Sequence, residues 1–382
     1  MSTPAQLLDF FQSRFDESLD TLRQLVEMES HSHDKPGIDA LVEFLAAEFS
    51  SLGAEVERLP HATCGNALKA QWKTGTALKP LLLLGHLDTV WPRGTASARP
   101  FRVEGGRAFG PGVFDMKSGI LLSLLACRAL NEKIVKPGKD LIFLFTADEE
   151  IGTETGRPHL KMIALACGAV LCLEPPLPGG RAKTFRKGVG TWTLCVRGVS
   201  AHAGVDHPKG ANAIVELSRH LIRIQEMTDY SRGITVSIGR VQGGTASNVV
   251  PDEAEAIVDF RVSTIADGQH MESLVRNLQP FDPRCTLTVE GGLNRPPLER
   301  TEAVIALFQK ARNLAMELGM DLGEGSTGGG SDGSFTAAMG IPTLDGLGVD
   351  GDGAHAVDEH VFVNDIPPRA ALLCRLAESI YD

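Results

Sequence analysis

Basic charge and long apolar runs are both scarce in this sequence. Lys and Arg together number 37 against 48 Asp and Glu, which gives a formal net charge of −11. Nucleic acids and anionic membranes bind to basic surfaces, so this charge balance argues against both as partners. The apolar runs fall far short of the roughly 20 residues that cross a bilayer, and we predict no membrane segment.

The seven cysteines follow no pattern that would build a site. Their number is odd, they are scattered, and no two have a Cys-x-x-Cys spacing. This argues against both a disulfide framework and a thiolate zinc site. Residues 1–20 are acidic and amphipathic, without the basic and then apolar segments of a signal peptide. These observations favour a cytoplasmic protein whose thiols are reduced and buried.

The length and the apolar pattern indicate an α/β fold. At 382 residues the chain is long enough for two domains of roughly 150 residues each. Helical spacing of apolar residues alternates with short apolar runs, of which the clearest are KPLLLLGHLDTV, KDLIFLFTADEE and GAVLCLEPP. Such runs are typical of strands buried on both faces of a mostly parallel sheet. The alternation therefore predicts an α/β domain.

The pattern changes near residue 186. Period-two strands and helical segments follow one another there in the order β-α-β-β-α-β, which is the ferredoxin-like arrangement. After residue 292 the chain returns to a helix, a glycine-rich loop and an apolar strand. We therefore expect one α/β catalytic domain, residues 1–185 and 293–382, with a smaller ferredoxin-like domain inserted at 186–292.

Histidine and acidic residues follow the apolar strands. His86 and Asp88 lie two residues apart at the end of the first run, so their side chains point to the same side. This pair alone fits a capping histidine with a surface aspartate equally well. Further candidates stand at the ends of the next two runs and in two loops: Asp148, Glu149, Glu150, Glu174, Asp115 and His355. Ligand sites form at the carboxyl edge of a parallel sheet, and acids that converge there repel one another unless a cation neutralises them.

The kinds of side chain in this set indicate which cation to expect. Imidazoles and carboxylates without thiolates suit zinc, with cobalt or manganese as replacements. Two histidines and at least three acids exceed the three protein ligands of a single catalytic zinc. They match a site of two metal ions, about 3.5–4 Å apart, that share a carboxylate.

The motifs that carry these residues occur in the order found in one family. They are GHLDTV, GPGVFDMKSG, TADEEIGT, LEPP, VSAHAG, GGTASNVVP, TGGGSDGSF and GDGAHAVDEHV. In this order the chain resembles the co-catalytic di-zinc aminoacylase/carboxypeptidase family, which includes acetylornithine deacetylase, succinyl-diaminopimelate desuccinylase and peptidase T. Within that family it is similar to the bacterial glutamate carboxypeptidases. The resemblance extends over nearly the whole chain.

The resemblance implies a role for each candidate. The residues that it assigns to the metals are His86, Asp115 and Glu174 for one ion and Asp115, Glu150 and His355 for the other. Asp115 bridges the two ions, and the peptide bond between Asp115 and Met116 is expected to be cis. Asp88 accepts the second N–H of His86. Glu149 is the general base.

The implied reaction is hydrolysis of an amide by water activated between two zinc ions. Glu149 takes the proton of this water and returns it to the leaving amine. His202, from the partner subunit, stabilises the developing oxyanion, which implies a homodimer formed through the inserted domain. Without the resemblance, His202 fits an ordinary loop histidine. The residues implied for substrate binding are Asn248, Arg261, Gly329, Arg295 and Lys183.

The expected substrate is a small N-acyl amino acid or peptide with a free carboxylate. Arginine pairs with carboxylates in a bidentate way, and a glutamate-like C-terminal amino acid is the expected product. The alternative within the same chemistry is a biosynthetic deacylase that acts on acetylornithine-like compounds. A non-catalytic metal-binding relative would have lost a ligand or the base, and this chain retains all of them.

Overall fold

The computed structural model describes residues 2–380. Its α-helices are α1 (Pro4–Gln12), α2 (Phe15–Glu27), α3 (Lys35–Ser51), α4 (Thr95–Ala98), α5 (Ser118–Asn131), α6 (Arg157–Leu165), α7 (Ala213–Gln225), α8 (Ile265–Arg276), α9 (Glu302–Glu317), α10 (Gly333–Ala338) and α11 (Ile366–Ser379).

The strands follow the same chain order. They are β1 (Glu55–Leu59), β2 (Ala67–Trp72), β3 (Leu81–His86), β4 (Arg102–Glu104), β5 (Arg107–Phe109), β6 (Leu141–Thr146), β7 (Ala169–Cys172), β8 (Ala182–Arg186), β9 (Gly188–Arg197), β10 (Ala201–His202), β11 (Thr235–Gly243), β12 (Val249–Val250), β13 (Glu253–Val262), β14 (Thr286–Arg295), β15 (Glu324–Thr327), β16 (Thr343–Leu344), β17 (Gly351–Asp352) and β18 (His360–Phe362).

The chain divides by its contacts into two units. The first contains the residues up to Phe185, Arg300–Ser326 and the residues from Ser331 onward, and the second contains Arg186–Glu299 and Thr327–Gly330. The second unit extends past residue 292 because β14 continues to Arg295. It also contains part of the glycine-rich loop.

The first unit is built on a six-stranded mixed sheet in the order β1-β2-β6-β3-β7-β16. The inner strands β6, β3 and β7 are parallel, as are β7 and β16, whereas β1 and β2 form an antiparallel edge. Every residue of β3 and β6 is buried, which agrees with their unbroken apolar sequences. The predicted α/β class with a mostly parallel sheet is confirmed.

Alternate residues of these strands pack on opposite faces of the sheet. Leu83 and Phe143 belong to a core that includes α2, α3, α5 and α11. Leu82 and Leu144 belong to a second core that includes α6 and Phe335 of α10. Helices therefore cover both faces, and the polar residues that follow the strands lie at the edge of the sheet between these two layers.

The second unit has its own sheet and core. Its elements β9, α7, β11, β13, α8 and β14 follow in the predicted ferredoxin-like order, and the antiparallel sheet has the order β11-β13-β9-β14. Trp192 on β9 stacks on Phe260 of β13 with 3.8 Å between ring centroids. Leu217 of α7 and Met271 of α8 pack in the same core, so the helices cover one face of the sheet.

The structure bears on the predictions about membrane segments and about the cysteines. Among residues 2–380, no helix combines the length and the apolar character that crossing a membrane requires. All seven cysteines are free thiols, and each except Cys195 is buried. The expected burial of most thiols is confirmed, and their reduced state stays a prediction.

Candidate metal centre

Three strand ends bring histidine and acidic side chains to one edge of the main sheet. His86 is the last residue of β3, and its register partner Thr146 is the last residue of β6. Glu149 and Glu150 follow β6 in a short helical turn. Glu174 follows β7, which pairs with β3 in parallel. The parallel register therefore gathers residues that lie far apart in sequence.

Asp115 is brought to the same edge by a loop before α5. The peptide bond between Asp115 and Met116 is cis, as expected. Gly112 in this loop has a φ of +72°, and a Cβ there would lie 2.6 Å from Cγ2 of Thr89. Only glycine fits this combination of conformation and space, so the loop can pass close to the chain that follows His86.

His86 lies against two of the predicted acids. Its Nε2 is 3.1 Å from Oδ1 of Asp115 and 3.6 Å from Oε1 of Glu174. The side chain of His86 is 1% exposed. One buried nitrogen between two carboxylate oxygens is an arrangement that a metal ion can occupy with small movements of the side chains.

His355 faces the other side of Asp115. Its Nε2 lies 3.5 Å from Oδ2 of Asp115 and 3.1 Å from Oε2 of Glu150. The two oxygens of one carboxylate therefore point to two different histidines, each of which has a further acid beside it. This is the geometry required of a carboxylate that is shared by two metal ions.

Glu149 also lies at the centre. His86, Glu149 and Glu174 form one group of possible ligands, and His86, Asp115 and Glu150 form another, with the ligand atoms of each group within 4.8 Å of one another. By distance alone, Glu149 is as close to His86 as the predicted ligands are. The role of general base that the resemblance implies for Glu149 stays a prediction.

Asp88 organises the two glutamates. Its carboxylate accepts hydrogen bonds from the backbone N–H groups of Glu149 at 3.0 Å and Glu150 at 3.1 Å, and from Oγ of Ser32 at 2.7 Å. The nearest acceptor for Nδ1 of His86 is the main-chain carbonyl of Asp88 at 2.9 Å, and the carboxylate is 3.5 Å away. Asp88 thus holds His86 mainly through its backbone rather than through the predicted carboxylate, which the two amides already engage.

The electrostatics of the centre favour a cation. Burial lowers the pKa of His86, but the surrounding carboxylates, with Asp115 and Asp88 foremost, together outweigh it and hold this pKa well above its usual value. The Asp115 and Glu150 side chains raise the pKa of His355 to about 10. Burial raises the pKa of Glu150 in spite of its contact with His355. The histidines thus lie in an excess of negative charge, and oxygen and imidazole donors of this kind suit zinc.

Two other predicted residues, His202 and Asn248, lie together in the second unit. His202 on β10 pairs with Val249 on β12, and the carbonyl of Asn248 accepts the N–H of Ala203 at 3.0 Å. Nδ1 of His202 accepts the N–H groups of Gly204 and Val205 at 3.1 and 3.2 Å. A neutral His202 ring therefore carries its proton on Nε2.

A third group surrounds the glycine-rich loop in the second unit. Arg261 on β13 donates to both carboxylate oxygens of Asp259 and, at 3.4 Å, to the carbonyl of Gly328. Arg295 ends β14, and its Cδ lies 2.9 Å from the position of a Cβ on Gly330. Gly329 lies between these contacts. The structure therefore brings Arg261, Gly329 and Arg295 to one loop.

Arg186 also contacts this loop, although the sequence patterns do not predict it. Arg186 is 3% exposed and donates to the carbonyl of Gly330 at 2.8 Å, but no motif marks it. Lys183, predicted with the substrate residues, is a buried residue of the first unit whose backbone exchanges hydrogen bonds with Asp345. Its predicted role in substrate binding stays a prediction.

A cluster of histidines and carboxylates at the carboxyl edge of a parallel sheet defines a candidate metal-dependent enzyme. The family model described as Peptidase family M20/M25/M40 matches residues 82–379. The chain therefore belongs to this peptidase family and is a hydrolase.

Individual relatives resemble most of the chain. Carboxypeptidase G2 from Pseudomonas sp. (strain RS-16) is 32% identical over 376 residues, which cover 96% of this chain and 90% of the relative. Succinyl-diaminopimelate desuccinylase from Paracidovorax citrulli (strain AAC00-1) is 28% identical over 367 residues, 89% of this chain and 92% of the relative. The predicted resemblance to this family is confirmed.

A solved structure has the same fold. The Bacillus subtilis YXEP protein, described as a dinuclear metal binding peptidase from the M20 family, aligns with a TM-score of 0.70 at 16% identity. The alignment covers 96% of this chain and 98% of that chain. At this identity the likeness concerns the fold.

Proposed function

We propose that this chain is a two-zinc exopeptidase or amidohydrolase. It cleaves an amide bond beside a free carboxylate and releases a C-terminal amino acid of the glutamate type. The proposal depends mainly on one observation: the two carboxylate oxygens of Asp115 face two different histidines, His86 and His355. The similarity to carboxypeptidase G2 over nearly the whole chain supports the choice of substrate class.

The donor set fits two metal ions. The residues that would hold them are His86, Asp115 and Glu174 for one ion and Asp115, Glu150 and His355 for the other. When bound, the ions would polarise the substrate carbonyl and lower the pKa of water. Zinc fits imidazole and carboxylate donors, and cobalt or manganese could replace it.

Glu149 acts as the general base. Its side chain lies beside His86 and Glu174, and its backbone is held by the carboxylate of Asp88. In this position Glu149 accepts the proton of the attacking water and returns it to the nitrogen of the leaving amine. The same carboxylate thus serves both halves of the reaction.

His202 donates a hydrogen bond to the developing oxyanion. The backbone amides of Gly204 and Val205 occupy its Nδ1, so Nε2–H is the donor of the neutral ring. A donor of this kind stabilises a tetrahedral intermediate. In the proposed homodimer His202 completes the active site of the partner subunit. The strand β11 lies at the edge of its sheet, and its backbone could pair with that of a second copy.

Arg261, Arg295, Asn248 and the amides near Gly329 bind the free carboxylate of the substrate. Asp259 orients the guanidinium of Arg261 through two hydrogen bonds of 2.9 and 2.8 Å. A guanidinium held in a fixed plane suits bidentate recognition of a carboxylate. The resemblance also implies this role for Lys183, a buried residue whose backbone exchanges hydrogen bonds with Asp345 in the first unit.

A biosynthetic deacylase is the second candidate. The similarity to a succinyl-diaminopimelate desuccinylase favours it, because that relative is named for removal of an acyl group from an amino acid. A third class, a non-catalytic metal-binding relative, conflicts with the presence of all the ligands and of Glu149. The predicted cytoplasmic location stays a prediction.

A hydrolysis screen tests the proposal and separates the two candidates. Purified protein is incubated with zinc, cobalt or manganese and with N-acyl amino acids and dipeptides of varied C-terminal residue. Release of a C-terminal glutamate from several acyl or peptidyl groups supports the exopeptidase. Preference for acetylornithine-like or succinylated diamino acids supports the deacylase. No hydrolysis with any of the metals would contradict both.

A further inference from the structure

Glu359 is a buried carboxylate near the candidate metal centre that is absent from both predicted ligand sets. It is 2% exposed. Its Oε2 accepts hydrogen bonds of 2.8 Å from the backbone N–H of Gly112 and from Nε1 of Trp91. Its Oε1 accepts the N–H groups of Phe114 at 2.9 Å and Asp115 at 3.0 Å. Each oxygen is thus satisfied by two donors.

These four donors and Glu359 itself belong to three different segments. Trp91 lies in the chain that follows His86 at the end of β3. The three amides belong to the loop that carries Asp115. Glu359 lies in the same loop as His355, four positions further along the chain. One carboxylate therefore connects the segments that bear His86, Asp115 and His355.

We propose that Glu359 is a positioning residue for the metal centre. By binding the amide of Asp115 and its neighbours, its carboxylate fixes the loop so that the two oxygens of Asp115 face both histidines. Glu359 would act through three backbone amides and the indole of Trp91, and not as a metal ligand. The inference rests on the proposed function because it presupposes that Asp115 binds metal.

Asp88 offers a parallel within the same centre. Its carboxylate binds the backbone amides of Glu149 and Glu150, as that of Glu359 binds the amide of Asp115. Two buried carboxylates thus hold two of the three backbone segments from which the candidate acids project. Groups that orient metal ligands in this way increase the affinity for the metal, because they restrict each ligand to its binding geometry.

The chemistry of the four contacts requires a carboxylate rather than an amide. Both oxygens of Glu359 face N–H donors only. A glutamine at this position has nearly the same shape, but its NH₂ group would face two of the N–H donors. An NH₂ group cannot accept hydrogen bonds from them. Glu359→Gln therefore tests the charge and the acceptors with little change in volume.

Zinc affinity measures this role without relying on turnover. Metal-free wild-type and Glu359→Gln proteins are titrated with zinc in competition with a chelator, and unfolding of both metal-free proteins is followed by circular dichroism. We expect both zinc ions to bind about 10- to 100-fold more weakly to Glu359→Gln.

Glu216→Gln is the matched control. Glu216 lies in the second unit, is also 2% exposed, and accepts the backbone N–H groups of Phe281 and Asp282. Its replacement should lower stability and leave zinc affinity unchanged. A general effect of removing a buried carboxylate would instead lower zinc affinity in both variants and would overturn the proposal.

The remaining outcomes separate this inference from the proposed function. If wild-type protein binds no zinc, the proposed function fails and the role of Glu359 fails with it. If wild type binds two zinc ions and folded Glu359→Gln binds them equally well, only the role of Glu359 is overturned. If Glu359→Gln does not fold, Trp91→Phe decides, because it removes one of the four donors. A smaller loss of zinc affinity supports the proposal, and unchanged affinity overturns it.

Discussion

In the first unit most candidate metal ligands are buried and three of them stand at or shortly after the ends of buried strands, whereas in the second unit the candidate substrate contacts lie mainly in exposed segments. The side chains of His86 and Glu174 are 1% and 8% exposed, but that of Arg261 is 33% exposed and His202 is exposed as well. A metal centre needs charges fixed at short range in a region of low solvation. Substrate contacts need access, so they rely on local hydrogen bonds such as those of Asp259 and Gly204 for their orientation.

His355 is the exception that sharpens the contrast. Its side chain is 49% exposed, although it contacts Asp115 and Glu150 of the buried group. Like Asp115, it comes from a loop, but Asp115 is much less exposed. This exposure leaves His355 accessible to solvent while the other candidate ligands are mostly buried.

The largest effect is expected from Asp115→Asn. If this carboxylate is shared by both ions, its loss weakens both together and turnover falls by about 10⁴-fold or more, since metal ions supply several kcal/mol of transition-state stabilisation and about 1.36 kcal/mol is a factor of ten. Metal analysis after dialysis at graded zinc concentrations measures the occupancy of each ion. Loss of one ion with normal binding of the other would refute the shared role.

Glu149→Gln tests whether Glu149 is a general base or a metal ligand. Turnover should fall by about 10²- to 10⁴-fold, because no other group is assigned to take the proton of the attacking water. The zinc content should remain at about two ions per chain. Loss of zinc from a folded variant would instead identify Glu149 as a ligand, which the distances alone also permit.

His202→Ala tests whether the second unit acts across a dimer. Alone, this variant should lose about 10²- to 10³-fold in kcat through the missing oxyanion donor. In verified heterodimers with Glu149→Gln chains, one of the two sites has both residues, so activity should return to about half of the wild-type value.

The control for this experiment is His207→Ala. His207 is another exposed histidine of the second unit and has no assigned role, so this variant should keep wild-type turnover. Heterodimers of His202→Ala and Glu149→Gln chains without recovered activity would count against the contribution from the partner subunit.

The smallest effect is expected from Arg261→Lys. Lysine keeps the charge but loses the planar fork, so KM should rise by about tenfold with little change in kcat. Arg284→Lys is a matched control, because Arg284 forms the same kind of double hydrogen bond with an aspartate two residues before it, Asp282. Equal KM values for the two variants would exclude Arg261 from substrate binding.

Much of the fold could be predicted because its signals are local. The unbroken apolar runs of β3, β6 and β7 are the buried inner strands of the sheet, and period-two patterns mark the strands of the second unit. The order of elements in the second unit followed from these patterns. The end of that unit could not be predicted from them, because β14 and the glycine-rich loop contact residues that are distant in the sequence.

The sequence by itself determined the kinds of donor and the strand ends at which they occur, since both are properties of neighbouring residues. Only the tertiary structure decided which atoms meet. The amide of Asp115 and the carboxylate of Glu359 are 244 positions apart, and no local pattern connects them. The same holds for Arg186 and Gly330, 144 positions apart. Hydrogen bonds between distant segments depend on the packing of the whole unit, which a pattern of a few residues does not contain.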